Sequence, residues 1–288
     1  MAKVPTGFSG SDGELYVESR RVLLDALEAL GEHRDSLVLV GAQAVYLRSE
    51  RAKLSVAAFT SDGDLGLDPR NLAALPRIEA AMRQAGFELS APDQPGIWKK
   101  SVKRDAEEPY EVSVDLLVPE QLAGSGRRSA QIPPHDKKAA RRVPGIEAAM
   151  VDKSTLQINS LAPEADLRNC TINVAGPAAL LIAKAFKIHD RVEDGSPGRL
   201  ADKDAGDVVR LMMTNPVGMV RETLEMLVND EMAGSTAQKG INYLRQLFGT
   251  ERLEGTQMAV RALRGSIDEG RLQTITGAYM TQLRSVGG

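Results

Sequence analysis

Val56-Ala57-Ala58-Phe59-Thr60-Ser61-Asp62-Gly63-Asp64-Leu65-Gly66-Leu67 is the stretch on which the fold turns. Apolar residues lead into two carboxylates placed two apart. On an extended strand, residues i and i+2 share a face, so Asp62 and Asp64 point the same way about 7 Å apart. Such a pair anchors a divalent cation, because Mg²⁺ takes a few hard oxygen ligands and completes its shell with water and substrate phosphates. The competing reading is a solvated turn, since Asp-Gly is itself a turn dipeptide. The remainder of the chain has to decide between them.

Upstream, Leu15, Val22, Leu23, Leu27 and Leu30 recur at helical spacing over 14–30. Leu37-Val38-Leu39-Val40 reads as a buried strand, Gly41-Ala42 as a turn, and 43–50 as a helix. Strand, glycine turn and helix together aim backbone N–H groups at an anion, or simply connect two elements. Downstream, Asp68-Pro69 opens a helix expected to run to about Ala85, closed by Gly86. Short strands are expected at 87–89 and 97–99. Tyr110 to Val118 alternates cleanly, with Tyr110, Val112, Val114, Leu116 and Val118 on one face and Glu111, Ser113 and Asp115 on the other. Asp115 is therefore a third strand carboxylate, facing solvent or joining Asp62 and Asp64 if the two strands are neighbours.

Between Gly124 and Val143, Arg127, Arg128, Lys137, Lys138, Arg141 and Arg142 stand against one acid, Asp136. The run either solvates a loop or grips polyanionic phosphate. Strands are expected at 155–158 and 171–174. At Gly176-Pro177 the texture changes: Pro177 suits a first helical position, and 178–188 is nearly all apolar. Lys184 lies in its middle, with Lys187 and Arg191 a turn apart beyond it, so Lys184 must snorkel or meet an anion. Lys203-Asp204-Ala205-Gly206-Asp207 starts the next helix, and four amphipathic helices follow.

The composition narrows the options. The chain has 288 residues, 42% hydrophobic and 26% charged, with a net charge of −3. Nucleic-acid contact must then come from a local patch, and with 4% aromatics it cannot come from stacking platforms. The single Cys170 excludes a disulfide framework, and His33, His135 and His189 are too scattered for a zinc site. No apolar run approaches a membrane span, so the expectation is a cytoplasmic protein with no membrane partner.

In this order, a glycine turn, a D-x-D strand, a third strand carboxylate, a lysine helix and a Lys-Asp-x-x-Asp helix, the sequence resembles the nucleotidyltransferase-like toxins of the AbiEii group, including the MenT toxins. These belong to the polymerase-β-like nucleotidyltransferase superfamily. Thr60 matches the Ser/Thr two positions ahead of the D-x-D. Lys184 with Ile188 matches the lysine motif, and Lys203, Asp204 and Asp207 match the last motif residue for residue. Two positions depart: Gly41-Ala42 stands where Gly-Gly or Gly-Ser is usual, and Ala58 where an arginine often lies.

The resemblance implies an α/β (α+β) fold, a polymerase-β-like nucleotidyltransferase domain with a small mixed sheet over 14–174 and a helical domain over 175–288 that completes the active-site cleft. It implies transfer of NMP from a nucleoside triphosphate, a pyrimidine and CTP by preference, to the 3′ acceptor end of tRNA, blocking aminoacylation. Asp62, Asp64 and Asp115 would hold Mg²⁺ or Mn²⁺, and Lys184 would neutralise triphosphate charge. Asp204 and Asp207 would orient Lys184 or the nucleotide. Gly41, Ala42, Thr60, Ser61, Lys184 and Lys187 would contact the nucleotide, and Arg127, Arg128, Lys137, Lys138, Arg141 and Arg142 the tRNA. A cognate antitoxin is the implied protein partner. The alternatives are nucleotidyl transfer to a protein or small-molecule hydroxyl, or an inactive fold that binds a partner.

Overall fold

The computed structural model describes residues 11–49, 62–103, 108–195 and 202–287. Thr60, Ser61 and the apolar lead-in to the D-x-D therefore lie outside the described residues. In chain order the elements are α1 (Ser11–Ala29), β1 (Leu37–Val40), α2 (Gly41–Arg48), β2 (Asp62–Leu67), α3 (Ile78–Gln84), β3 (Glu88–Ala91), β4 (Gln94–Val102), β5 (Tyr110–Pro119), β6 (Arg141–Val143), β7 (Lys153–Asn159), β8 (Asn169–Ala175), α4 (Pro177–Asp194), α5 (Asp202–Thr214), α6 (Val217–Val228), α7 (Gly234–Phe248), α8 (Glu254–Ala262) and α9 (Glu269–Gln282). The fold is mixed α/β. Two compact units divide it, the first drawn from Met1–Gln43, Phe59–Val143 and Ser154–Val174, the second from Ala44–Ala58, Pro144–Lys153 and Ala175–Gly288.

The first unit is built on one mixed sheet in the order β3-β4-β5-β2-β1-β8-β7, with β6 paired to β5 off that path. β2 runs antiparallel to β1 and parallel to β5, and β1 is parallel to β8. Alternation explains the burial. Val112, Val114, Leu116 and Leu65 are fully buried, and Leu23 and Leu27 of α1 join them. Gly63 lies under α1, where a Cβ would sit 3.0 Å from Leu23 Cδ1. One face of β2 is therefore spent on the core, which leaves the other for its carboxylates.

Two expectations need correction in this unit. The helix expected over 68–85 is instead a short 3₁₀ turn at Pro69–Asn71, followed by α3. Pro76 is the cause: proline disfavours helical backbone at the residue before it and lacks the N–H that a continuous helix needs. The Gly124–Val143 loop also carries a strand. β6 pairs in parallel with the end of β5, setting Arg141 opposite Leu117 and Arg142 opposite Val118.

In the second unit, helices meet closely where glycine removes a side chain. A Cβ on Gly240 of α7 would press into Ile182 of α4, and one on Gly206 of α5 would sit 3.2 Å from Ala262 Cβ of α8. Tyr243 of α7 stacks on His189 of α4 at 3.7 Å and meets Phe186 edge-on. The α4 N-terminus is capped from a distance: Asp152 Oδ2 accepts from the Ala179 N–H at 2.9 Å. No helix among the described residues is long and apolar enough to cross a membrane.

Candidate functional site

The sheet unit brings the strand carboxylates together. In the β2–β5 register, Asp64 is the Cα partner of Asp115 and Asp62 that of Ser113. Partners in adjacent strands lie about 4.8 Å apart with side chains on the same face. Asp62, Asp64 and Asp115 thus share the face that Gly63 and Val114 turn away from. Asp62 and Asp64 are half-buried, and Asp115 is 7% exposed.

The glycine turn is part of this arrangement. Val40 pairs with Asp64, and Gly41 follows at φ +69°. A Cβ on Gly41 would collide with the Asp64 carboxylate, so glycine is required twice over, by backbone conformation and by space. Gln43 lies two residues on. Its Nε2 donates to the Asp62 carbonyl at 3.2 Å, while its Oε1 accepts from Arg20 Nε at 2.8 Å. Arg20, 3% exposed, also donates to the Asn159 carbonyl and the Tyr16 hydroxyl. Arg20 and Gln43 thereby fix the backbone at the start of the D-x-D. Sequence reasoning missed both; the only signal was an arginine inside an apolar helix stripe.

Asp115 has a partner that spacing did not disclose. Arg141 Nη2 donates to Asp115 Oδ2 at 2.5 Å. Arg142 is also engaged, donating to Glu120 Oε1 at 3.1 Å and to the Gly124 carbonyl at 2.7 Å. Two of the six cations expected to face RNA are therefore occupied within the protein. Arg127, Arg128 and Lys137 are exposed, and Lys138 is half-buried.

The donor chemistry of this face suits a hard divalent cation: oxygen ligands only, on one side of a rigid sheet. Among the described residues, no group of three or more His, Cys, Asp or Glu is placed to hold a metal ion. Asp115 is engaged by Arg141, and Asp62 and Asp64 amount to the one or two carboxylates that Mg²⁺ ordinarily takes.

The helical unit holds the second set of expected residues. Lys184 Nζ donates to Asp204 Oδ1 at 2.6 Å and to Asp207 Oδ2 at 2.7 Å. The three side chains are 4%, 0% and 7% exposed. Arg191 adds a 2.5 Å contact to Asp204 Oδ2, and Lys187, 42% exposed, stands 3.5 Å from Oδ1. Arg210 on the same helix is 4% exposed and lies over the Tyr46 ring. Burial pushes the Asp204 carboxyl upward, yet Lys184, Lys187 and Arg191 together hold it well below the usual carboxylate range. Burial also opposes the charge on Lys184, and the two aspartates override it and raise its pKa. Asp207 is pushed up, by burial first. Lys184 thus meets its anion within the protein, and its charge is already matched.

No family model matches the chain, and no curated protein matches it. Among solved structures, it is similar to the crystal structure of an antigenic nucleotidyltransferase-like protein from Paracoccidioides brasiliensis, with a TM-score of 0.40 and 17% identity, over 79% of this chain and 93% of that one. A likeness this shallow fixes no activity.

Proposed function

We propose that the protein is a divalent-metal-dependent nucleotidyltransferase that moves a nucleotidyl group from a nucleoside triphosphate to a hydroxyl and releases pyrophosphate. The observation that carries this reading is the parallel pairing of β2 with β5, which sets Asp64 beside Asp115 with Asp62 on the same face. In the reaction the acceptor oxygen bonds to the α-phosphorus, the bond to the β-phosphate oxygen breaks, and the hydroxyl proton is lost. Asp62 and Asp64 hold the cation, and Asp115 takes the proton or adds a third oxygen ligand. Mg²⁺ or Mn²⁺ bound there supplies Lewis-acid polarisation of the phosphoryl oxygens. Gly41 leaves room for the Asp64 carboxylate, and Gln43 with Arg20 holds the strand on which both ligands stand. Thr60 and Ser61 enter as nucleotide contacts on their motif positions alone.

The finer reading follows the motif resemblance. The acceptor is the 3′ end of tRNA, the donor a pyrimidine triphosphate with CTP favoured, and the protein the toxin of a toxin–antitoxin pair. Arg127, Arg128 and Lys137, exposed on the basic loop, support RNA as acceptor. In this reading Lys184, Asp204 and Asp207 act by holding α4 to α5, since the lysine's charge is matched in place. A second reading, transfer to a protein or small-molecule hydroxyl, is favoured by the internal use of Arg141 and Arg142, which thins the basic surface.

Both are tested by incubating each of four labelled nucleoside triphosphates and Mg²⁺ with total tRNA, using wild type and Asp62→Ala. Label on tRNA from wild type alone supports the first reading and names the nucleotide. Triphosphate binding without label moves the acceptor to the second, and neither binding nor label rejects nucleotidyl transfer.

A further inference from the structure

We infer that the helical unit carries a binding site of its own: an open cavity at the end of α5 that takes a small, uncharged, largely apolar molecule with one carbonyl-type oxygen, which accepts a hydrogen bond from the Tyr279 hydroxyl. All the walls of the cavity belong to that unit, so the site stands whether or not the strand acids hold a metal.

The cavity has a volume of about 360 Å³, within the range of small-molecule pockets. Met212 and Met213 of α5, Val217 of α6, and Ile275 and Ala278 of α9 make its walls mainly apolar. Methionine is unbranched and adapts its shape to what it touches. Two polar residues at the turn from α5 to α6 spend their side chains on the helix instead. Thr214 Oγ1 donates to the Arg210 carbonyl at 2.8 Å, and Asn215 Nδ2 donates to the Leu211 carbonyl at 3.0 Å and to Thr214 Oγ1 at 3.1 Å. These bonds answer carbonyls that the last turn of α5 leaves open. No charged residue lines the cavity, so an ionic ligand would enter without a counter-charge, and a neutral one fits.

Tyr279 of α9 also lines the cavity, and it is 5% exposed. Its hydroxyl is buried and has no hydrogen-bond partner among the described residues. Burial raises the phenol's pKa, so the proton stays on the oxygen at neutral pH and calls for an acceptor. Other buried hydroxyls of the chain are met. Tyr16, 2% exposed, accepts from Arg20 Nη2 at 3.2 Å, and Thr276, a turn before Tyr279 on α9, donates to the Leu272 carbonyl at 3.1 Å. An unmade hydrogen bond in the interior is costly, and phenylalanine would fill the same space without that cost. The fold therefore gains nothing from this hydroxyl, whereas a bound molecule would. A few other buried polar atoms also lack partners. Tyr279 differs in standing on the wall of an apolar cavity, where an entering oxygen completes its bond and the hydrocarbon walls hold the rest of the molecule.

Two probes of matched shape separate the hydroxyl from the hydrocarbon walls: acetophenone, which carries the oxygen, and α-methylstyrene, in which a methylene replaces it. Each is titrated into the full chain labelled at the methionine methyl groups, with NMR as the readout, for wild type, Tyr279→Phe and Ala278→Trp. Both probes are expected to move the Met212 and Met213 methyl signals and to leave that of Met226, exposed on α6, in place. Wild type binds acetophenone more tightly than α-methylstyrene by about twofold to tenfold, the worth of one neutral hydrogen bond. Tyr279→Phe binds the two alike, keeps the wild-type affinity for α-methylstyrene, and is at least as stable as wild type to denaturant. Ala278→Trp, a substitution at an exposed position of the wall, fills the cavity and weakens both probes while the hydroxyl remains. Met212 and Met213 signals that neither probe moves overturn the site. A preference for acetophenone that survives in Tyr279→Phe overturns the role of the hydroxyl. Signals of these two methyl groups that shift with protein concentration alone assign the cavity to a second copy of the chain and overturn a small molecule as its occupant.

Discussion

Two clusters of aspartate and cation, one on the sheet and one among the helices, use the same chemical parts to opposite ends. On the sheet, Asp115 meets Arg141 through one nitrogen, and that arginine side chain is 35% exposed. Among the helices, Lys184 meets Asp204 and Asp207 with all three side chains at 7% exposure or less. The sheet pair is partly open to solvent. The helical cluster is closed, and separating it strands charge in a low-dielectric interior. Carboxylates alone therefore do not identify a reactive site.

The comparison is most severely tested by Lys184→Met. Removing one member of a buried ion cluster leaves uncompensated charge, and the expected loss is about 3–5 kcal/mol of unfolding free energy in chemical denaturation. Lys184→Met/Asp207→Leu, which removes one charge of each sign, recovers at least half of that loss. A Lys184→Met protein as stable as wild type would erase the distinction between the clusters.

The converse is expected of Asp62→Asn. Nucleotidyl transfer falls by about 100-fold or more, while stability stays within about 0.5 kcal/mol of wild type. A large stability loss would make the strand acids structural, and equal activity would take Asp62 out of the site. Smaller again is Asp152→Ala, which removes the distant cap of α4 and costs about 0.5–2 kcal/mol by the same denaturation assay. A cost below that range would show that the Ala179 N–H finds another acceptor.

The smallest effect is a pH dependence that belongs to the sheet unit. His135 Nδ1 accepts from the Ile78 N–H at 3.2 Å, and its Nε2 donates to the Ala73 carbonyl at 3.0 Å. Burial lowers the imidazole's pKa, so the folded state resists the proton that the unfolded chain accepts near pH 6.5. Stability is therefore full above about pH 6.5 and declines below it until the folded pKa is reached. His135→Gln flattens unfolding free energy measured between pH 7.5 and 5.5, and an unaltered slope would place the proton elsewhere.

What could be read from the sequence was what depends on near neighbours in the chain. Alternation gave β5 and its acid face, D-x-D gave β2, and the apolar run after Pro177 gave α4. The β2–β5 pairing was not legible, because Asp64 and Asp115 are brought together by a register that no local pattern encodes. Arg141 was read as one of six cations that either solvate a loop or grip polyanionic phosphate, and its bond to Asp115 depends on a three-residue strand too short to leave a period. The missed break at Pro76 was visible in the chain and was overridden by the helical pattern beyond it. Lys184 was read as having to snorkel or meet an anion, and the acids that meet it stand a helix away, close enough in sequence to be suspected.

Gly41 ties one position of the chain to another by exclusion. The Asp64 carboxylate occupies the volume that any side chain at position 41 would need. The two sites therefore hold a single allotment of space, and a sequence can fill it from one side only. Wherever position 41 gains even a methyl group, position 64 must shrink or turn away. In related chains, a side chain at the first position is therefore expected only where the second is smaller or its carboxylate is turned aside.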